Sequence, residues 1–222
     1  LKGNVSLAAG GTMRVEYNEG VTVNNTYAGN ISGDGAVSIN LGAADAMFTL
    51  AGNNTFAGSK TLEEGILVAA NVAALGKVRE KRWLLGANGT LQVASGLTAT
   101  NALSLIDGNS TGTLALTEDM AGVLDMSKSH AGLFVGAEMG KKVQYGTADD
   151  TLNATAENKW NLGGGGGELV VNAALTGGGT LVLGNGQGLG GIVTLTNTGN
   201  SIGSITHTVS GNVVRVAHDL AC

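Results

Sequence analysis

Short runs of alternating apolar and polar residues recur along the chain, each led by glycine. They are GGTMRV (10–15), GTLQV (89–93), GTLAL (112–116), GELVV (167–171) and GTLVL (179–183). Alternation with a period of two predicts strands, with Leu and Val facing inward and Thr or Gln outward. Strands this short cannot stand alone. Stacked rung on rung, each can satisfy its backbone groups through the coils above and below. At roughly 20 residues per coil, the chain would make about ten coils and a rod about 50 Å long.

Longer stretches return as well. GNISGDGAVSINL (29–41) lies over AALTGGGTLVLGN (173–185), MFTLAGNNTFAGS (47–59) over IVTLTNTGNSIGS (192–204), and EGILVAANVAALG (64–76) over SGNVVRVAHDLAC (210–222). Two repeat blocks, 29–76 and 173–222, thus share their spacing. In this reading Leu50 points inward, Asn53 and Asn54 turn a corner, and Phe56 packs at or over it. Gly58 then bends the backbone into the next strand, and Asn side chains in adjacent coils stack as amide ladders. An antiparallel sandwich with glycine-rich hairpins is the competing architecture. It does not require such similar spacing in distant blocks.

Composition narrows the choice. The chain has 222 residues with 38 Gly, no Pro and 43% hydrophobic residues. Collagen needs proline and a three-residue period. Linkers and disordered chains lack this much apolar content. Small and β-branched residues suit a narrow core built from strands. The net charge of −5 argues against nucleic acid as a partner, since phosphate contacts need clustered Lys and Arg. Cys222 is the single cysteine, so no disulfide within the chain and no cysteine-based metal site is expected. No stretch reads as a signal peptide or a transmembrane helix, and both ends read as strand, as in a fragment of a longer chain.

The segment LAGNNTFAGSKTLEEGILVAANVAALG (50–76) resembles the autotransporter-associated β-strand repeat of bacterial surface proteins. The matching residues are Leu50, Gly52, Asn53, Asn54, Thr55, Phe56, Gly58, Thr61, Gly65, Leu67, Leu75 and Gly76. ISGDGAVSI (31–39) is similar to the strand that commonly precedes this repeat, and WNLGGGGGELVVNAALTGGGTLVLGN (160–185) to the lead-in of a second unit. The second copy departs from the pattern, with Ser201 in place of the aromatic and Ala221-Cys222 where Leu-Gly is expected. The resemblance implies a right-handed parallel β-helix forming one elongated domain over 1–222, exported and displayed on a Gram-negative cell. It implies a stalk that presents loops in adhesion or self-association, with a surface glycan, a protein or another copy of itself as partner. The motif marks the stalk and not its payload.

Candidate chemistry is sparse. Gly186, Gly188 and Gly191 satisfy G-x-G-x-x-G, but strand text (IVTLT) follows where a dinucleotide site needs a helix, so no cofactor is expected. The run Gly163–Gly167 reads as a turn or bulge. His130, His207 and His218 lie apart from one another at no zinc spacing, the last two on solvent-facing strand positions. Asp149-Asp150 and SGDG (32–35) read as solvated turns, not calcium sites. Seven Asn-x-Ser/Thr triplets, among them those at Asn4, Asn30 and Asn53, read as by-products of turn chemistry. A carbohydrate-active β-helix enzyme, a lyase or glycoside hydrolase, is the alternative function, and it needs converging carboxylates. The densest charge, KVREKRW (77–83), holds Lys77, Arg79, Lys81 and Arg82 with one acid, Glu80. Trp83 beside them would either stack on a sugar ring or pack back on the core. A second irregular stretch, 127–160, gathers Phe134, Lys141, Lys142, Tyr145, Asp149, Asp150 and Trp160. If a partner binds, the expected contacts lie in 77–83 (Arg79, Arg82, Trp83) or 134–150 (Lys141, Lys142, Tyr145), because interruptions of a solenoid tend to carry its functional loops.

Overall fold

The structure, a computed structural model, describes residues 3–17, 24–79, 81–184, 188–208 and 211–217. Glu80, Gly186, His218 and Cys222, singled out above, and part of the stretch 210–222 lie outside the described residues. The strands follow in chain order as β1 (Val5–Leu7), β2 (Thr12–Glu16), β3 (Asn25–Tyr27), β4 (Ile31–Gly33), β5 (Ala36–Asn40), β6 (Met47–Leu50), β7 (Lys60–Ala69) and β8 (Trp83–Val93). Then come β9 (Thr113–Leu116), β10 (Phe134–Ala137), β11 (Lys142–Tyr145), β12 (Thr151–Asn153), β13 (Lys159–Leu162), β14 (Glu168–Val171), β15 (Ala174–Thr176), β16 (Gly179–Leu183), β17 (Ile192–Leu195), β18 (Ile202–His207) and β19 (Val213–Val216).

Every strand-to-strand ladder among the described residues is parallel, and each joins one coil to the next. The chain is a parallel β-solenoid of about 9 turns, a single elongated domain with almost no helix. One path of nine hydrogen-bonded strands, β18-β16-β13-β10-β9-β8-β7-β5-β2, runs its length. Nine rungs at a spacing of about 4.8 Å give a stack about 43 Å long. The step between coils varies. Leu114 lies opposite Val135, 21 residues on, and Val135 opposite Leu162, 27 residues on. Coils are therefore longer, and fewer, than the alternating runs alone suggest.

Inward positions make an unbroken apolar column. Phe48, Leu67, Leu91, Leu114, Val135, Leu162 and Leu183 face one another across successive rungs, and all are buried. Each such side chain contributes about 2 kcal/mol by leaving water. The column ends at His207, paired with Leu183 on the last rung and exposed.

The corners are built from amide side chains, as the sequence indicates. Asn53 is exposed and Asn54 is buried. The Asn54 Oδ1 accepts the Ile31 backbone N–H at 2.8 Å, and its Nδ2 donates to the Ala74 carbonyl at 2.6 Å. One side chain thereby satisfies a coil below and a coil above. Asn200 does the same for the Leu175 N–H at 2.9 Å, so the two blocks share their corner chemistry. They do not share a face: β4 and β15 lie in separate small sheets, while β6 belongs to the main sheet and β17 to a four-stranded one. Phe56, expected to pack at or over the corner, is fully enclosed. One detail differs from expectation. Gly58 serves close approach, since a Cβ there would collide with the Gly35 carbonyl of the preceding coil.

The stretch 127–160 is not an interruption of the stack. β10, β11 and β12 fall within it, in register with β9, β14 and β15. Only the connections between them are turns.

Replacing Asn54 by Ala strips the Ile31 N–H and the Ala74 carbonyl of their partners inside the stack. We expect a loss of about 2–4 kcal/mol in chemical unfolding, as two buried backbone groups go unpaired. Asn53→Ala, at the exposed neighbour, should cost less than about 0.5 kcal/mol. Equal effects would contradict this account of the corner.

Candidate functional site

The first repeat ends in a capped turn. Val72–Leu75 forms a 3-10 turn, with the Asn71 side chain accepting from the Ala74 N–H and Gly76 closing it at φ 75°. The positive φ explains the glycine of the Leu-Gly ending. The Lys77 N–H then donates to the Phe56 carbonyl at 3.0 Å, which sets the new coil on the old. The chain next leaves the stack, with Val78 partly buried against the core, and returns at Trp83, which pairs with Lys60.

Trp83, expected either to meet a ligand or to pack back on the core, does the second and is fully buried. Its Nε1–H donates to the Leu75 carbonyl at 3.1 Å, and its ring meets Phe56 edge-on, with centroids 6.4 Å apart. An indole enclosed in this way cannot stack on a sugar. It clamps the base of the excursion, binding the residue that enters the loop to the residue that leaves it. Arg79, Lys81 and Arg82 project from the clamped loop and are exposed.

Below them runs an open groove of about 530 Å³ lined by Ser59, Lys60, Thr61, Arg79, Lys81, Arg82, Leu84 and Asp107. Thr61 and Leu84 are register partners on β7 and β8. Asp107 follows Ile106, which bridges to Trp83, so the floor climbs three consecutive coils. Leu84 is 40% exposed. Lys60 is buried with its ammonium 4.9 Å from the Phe56 ring centre, donating to the Gly58 and Lys77 carbonyls. It is a groove residue absent from the expected contacts, although the alternation of Lys60-Thr61-Leu62 places it inward. Asp107, the one described carboxylate lining the groove, accepts both the backbone N–H and the side-chain amide of Asn109. No ion pair within 4 Å engages Arg79, Lys81 or Arg82 among the described residues.

The second expected cluster is used differently. Tyr145 is fully buried, and its hydroxyl accepts the Leu124 N–H at 2.8 Å. Burial pushes the phenol well above its ordinary range. Tyr145 thus anchors a connection and cannot meet a partner. Lys141 and Lys142 are exposed but paired, with Glu138 at 2.7 Å and Glu168 at 3.1 Å. Glu168 also takes Arg215 at 3.3 Å and accepts the Thr194 hydroxyl at 2.8 Å. That hydroxyl, with Lys142 and Arg215, holds the Glu168 carboxyl below the usual glutamate range. Nearby, Asn172 donates to Gln144 Oε1 and accepts from Thr196 Oγ1, an amide ladder along a second groove of about 510 Å³. The two grooves share no lining residue.

The other candidates resolve as parts of the scaffold. His130 is buried, its Nε2–H donating to the Ile106 carbonyl at 2.9 Å. Asp150 Oδ2 accepts the N–H and hydroxyl of Thr147, a turn closed on itself. Four consecutive glycines, Gly163 to Gly166, all adopt positive φ, and Gly164 and Gly165 lie against Thr113 and Ala115. This is a flat strap over the outer face of the sheet that any side chain would lift. Strand β17 follows Gly191 directly. Among the described residues no group of three or more His, Cys, Asp or Glu is placed to hold a metal ion, and no helix is long and apolar enough to cross a membrane. In comparisons with protein families, curated proteins and solved structures, the chain finds no match.

The Glu168 network has a pH signature. A carboxyl whose pKa is depressed by folding contributes fully above the ordinary glutamate range, and that contribution is lost as pH falls through the lowered value. Thr194→Val should therefore cost about 1 kcal/mol at pH 7. The gap between variant and parent should close in acid as Glu168 protonates. A gap that persists unchanged at low pH would show that Thr194 acts by packing alone.

Proposed function

We propose that this chain is a stalk segment of an exported bacterial surface protein of the autotransporter passenger type, presenting its loops in adhesion or self-association. The observation that supports this most directly is the in-register stack itself. The coils close by backbone pairing and corner amides, so the rod needs neither disulfide nor metal to stay closed outside a cell. The residues that resemble the passenger repeat also have the structural duties such a stalk requires. Leu50 and Leu67 fill the core, Asn54 ties three coils together, Phe56 seats Trp83, and Leu75-Gly76 ends a coil so that a loop can leave it.

The alternating inward positions are apolar over most of the length, so chemistry is left to the outer surface. Of the two groups of expected contact residues, the loop after Gly76 suits display better. Its cations are exposed and its base is fixed, whereas Lys141 and Lys142 are held in carboxylate pairs.

The test is placement on the cell. The full reading frame is expressed in a Gram-negative host, and intact cells are labelled with antibody raised against the 79–82 loop. We expect labelling without permeabilisation, removed by protease shaving, together with clumping or substrate attachment that depends on expression. Labelling seen only after lysis would overturn the surface assignment.

A further inference from the structure

We infer that the groove across the three consecutive coils beside Arg79, Lys81 and Arg82 is a binding site for an acidic polysaccharide, one carrying carboxylates or sulfates along its length. This deepens the surface reading and rests on it for where such a polymer would be met, but not for whether the groove binds.

Charge comes first. The chain carries a net charge of −5, yet five of its 12 basic residues, Lys60, Lys77, Arg79, Lys81 and Arg82, fall within 23 positions. Of the other described basic residues, Arg14, Lys141, Lys142, Lys159 and Arg215 each sit within 4 Å of a carboxylate, and Lys128 does not. Arg79, Lys81 and Arg82 have no such pair among the described residues. Three exposed cations share one short loop with a single acid, Glu80, so they repel one another, and no ion pair among the described residues uses them. An anion laid across them would relieve that repulsion. The two guanidinium forks suit carboxylate and sulfate oxygens, which they can grip by paired hydrogen bonds.

Shape then favours a polymer over a small ion. The groove is open and follows the stack, so its floor repeats at about 4.8 Å, one rung at a time. Thr61 and Leu84 occupy that floor, a hydroxyl beside a half-exposed apolar side chain. A sugar ring presents both kinds of surface, a C–H face and a rim of hydroxyls, and its acidic substituents would reach the cations at the edge. The Trp83 clamp fixes the loop base, which lowers the ordering cost of binding.

Nucleic acid fits less well. Binding a single strand relies on exposed aromatics as stacking platforms, and Trp83, the aromatic of this segment, is enclosed. A duplex would also extend beyond the patch onto an acidic molecule.

Purified protein is titrated with polygalacturonate and heparin as acidic chains, with dextran as the neutral one, and with single-stranded oligonucleotide and inorganic phosphate. We expect binding to both acidic chains, weakening as salt rises, and none to dextran or to phosphate. The triple variant Arg79→Ala, Lys81→Ala, Arg82→Ala should lose about tenfold or more in affinity with an unchanged melting temperature. Lys128→Ala, Lys141→Ala, Lys142→Ala removes the same charge elsewhere and should stay within about twofold. Equal loss in both triples would reduce the effect to overall charge and overturn the site. Oligonucleotide binding as tight as that of the acidic chains, and lost in the first triple, would overturn the ligand class. Failure to bind any acidic chain would overturn the inference while leaving surface placement standing.

Discussion

Parallel pairing of each coil on the next is the constraint from which the rest of this structure follows. Among the described residues no strand has its partner nearby in sequence: the backbone of β7 is satisfied by β5, β6 and β8, each a full coil away. A residue added to a strand without a bulge to absorb it would shift the inward and outward sets of its rung by one and expose the column. Extra residues enter either as bulges, as where Leu62–Glu64 meets Ile39–Asn40 and Ile202–Ser204 meets Gly179–Thr180, or where the chain leaves the stack and returns in phase. The same rule governs glycine. Gly29 and Gly52 carry no Cβ because the carbonyls of Gly3 and Gly29 approach them from the coil below. The asparagine after each glycine then passes its side-chain oxygen up the stack, Asn4 to the Asn30 N–H and Asn30 to the Asn53 N–H.

That ladder reveals the true repeat. Its unit is one coil, marked by Gly3-Asn4, Gly29-Asn30 and Gly52-Asn53, and not the block of about fifty residues that the sequence comparison brings out. The blocks 29–76 and 173–222 align because both contain strand, amide corner and strand, and any two stretches with that local order will do so, whichever faces they occupy. Strand positions, inward leucines and the buried corner asparagine were legible because each leaves a local signal: a period of two, or a polar residue where the chain must turn. Trp83 packs back on the core, one of the two readings its sequence position allowed, whereas Tyr145 was not legible as a core residue. Each stands next to or near lysine and arginine, and composition suggested a surface patch. The alternation had the answer in both cases. Trp83 shares its phase with Leu85, and Tyr145 with Val143, both inward.

The two tryptophans show how the stack admits loops without loosening. Trp83 donates its indole N–H to Leu75, eight residues earlier, and Trp160 donates to Leu152, also eight residues earlier. Both are buried. Trp83 opens β8 and reaches the last residue of the 3-10 turn, while Trp160, second in β13, reaches the middle of β12, so in each case a bond inside the core stitches a main-sheet strand to the segment before it. A buried N–H left without a partner would cost about 1–3 kcal/mol, which makes the stitch hard to open. What lies between the two ends is then free to vary in sequence while its base stays fixed.

This separation sharpens the contrast between the two basic clusters. Around Glu168 the cations serve the fold, for Lys142 and Arg215 converge on one carboxylate that also bridges β14 to β17 through Thr194. Removing any member leaves another group short of a partner. The loop before Trp83 is different. Its base is secured by an indole and an aromatic edge, neither of which needs Arg79, Lys81 or Arg82, and its backbone returns to register on the strength of β7–β8 pairing alone. No ion pair among the described residues accounts for three exposed cations set around a single acid, Glu80, at this point, and their mutual repulsion weighs against them. A feature that costs the free protein something and supports nothing within it is best accounted for by what it meets outside, and a row of cations over a grooved, half-apolar floor calls for an extended anion.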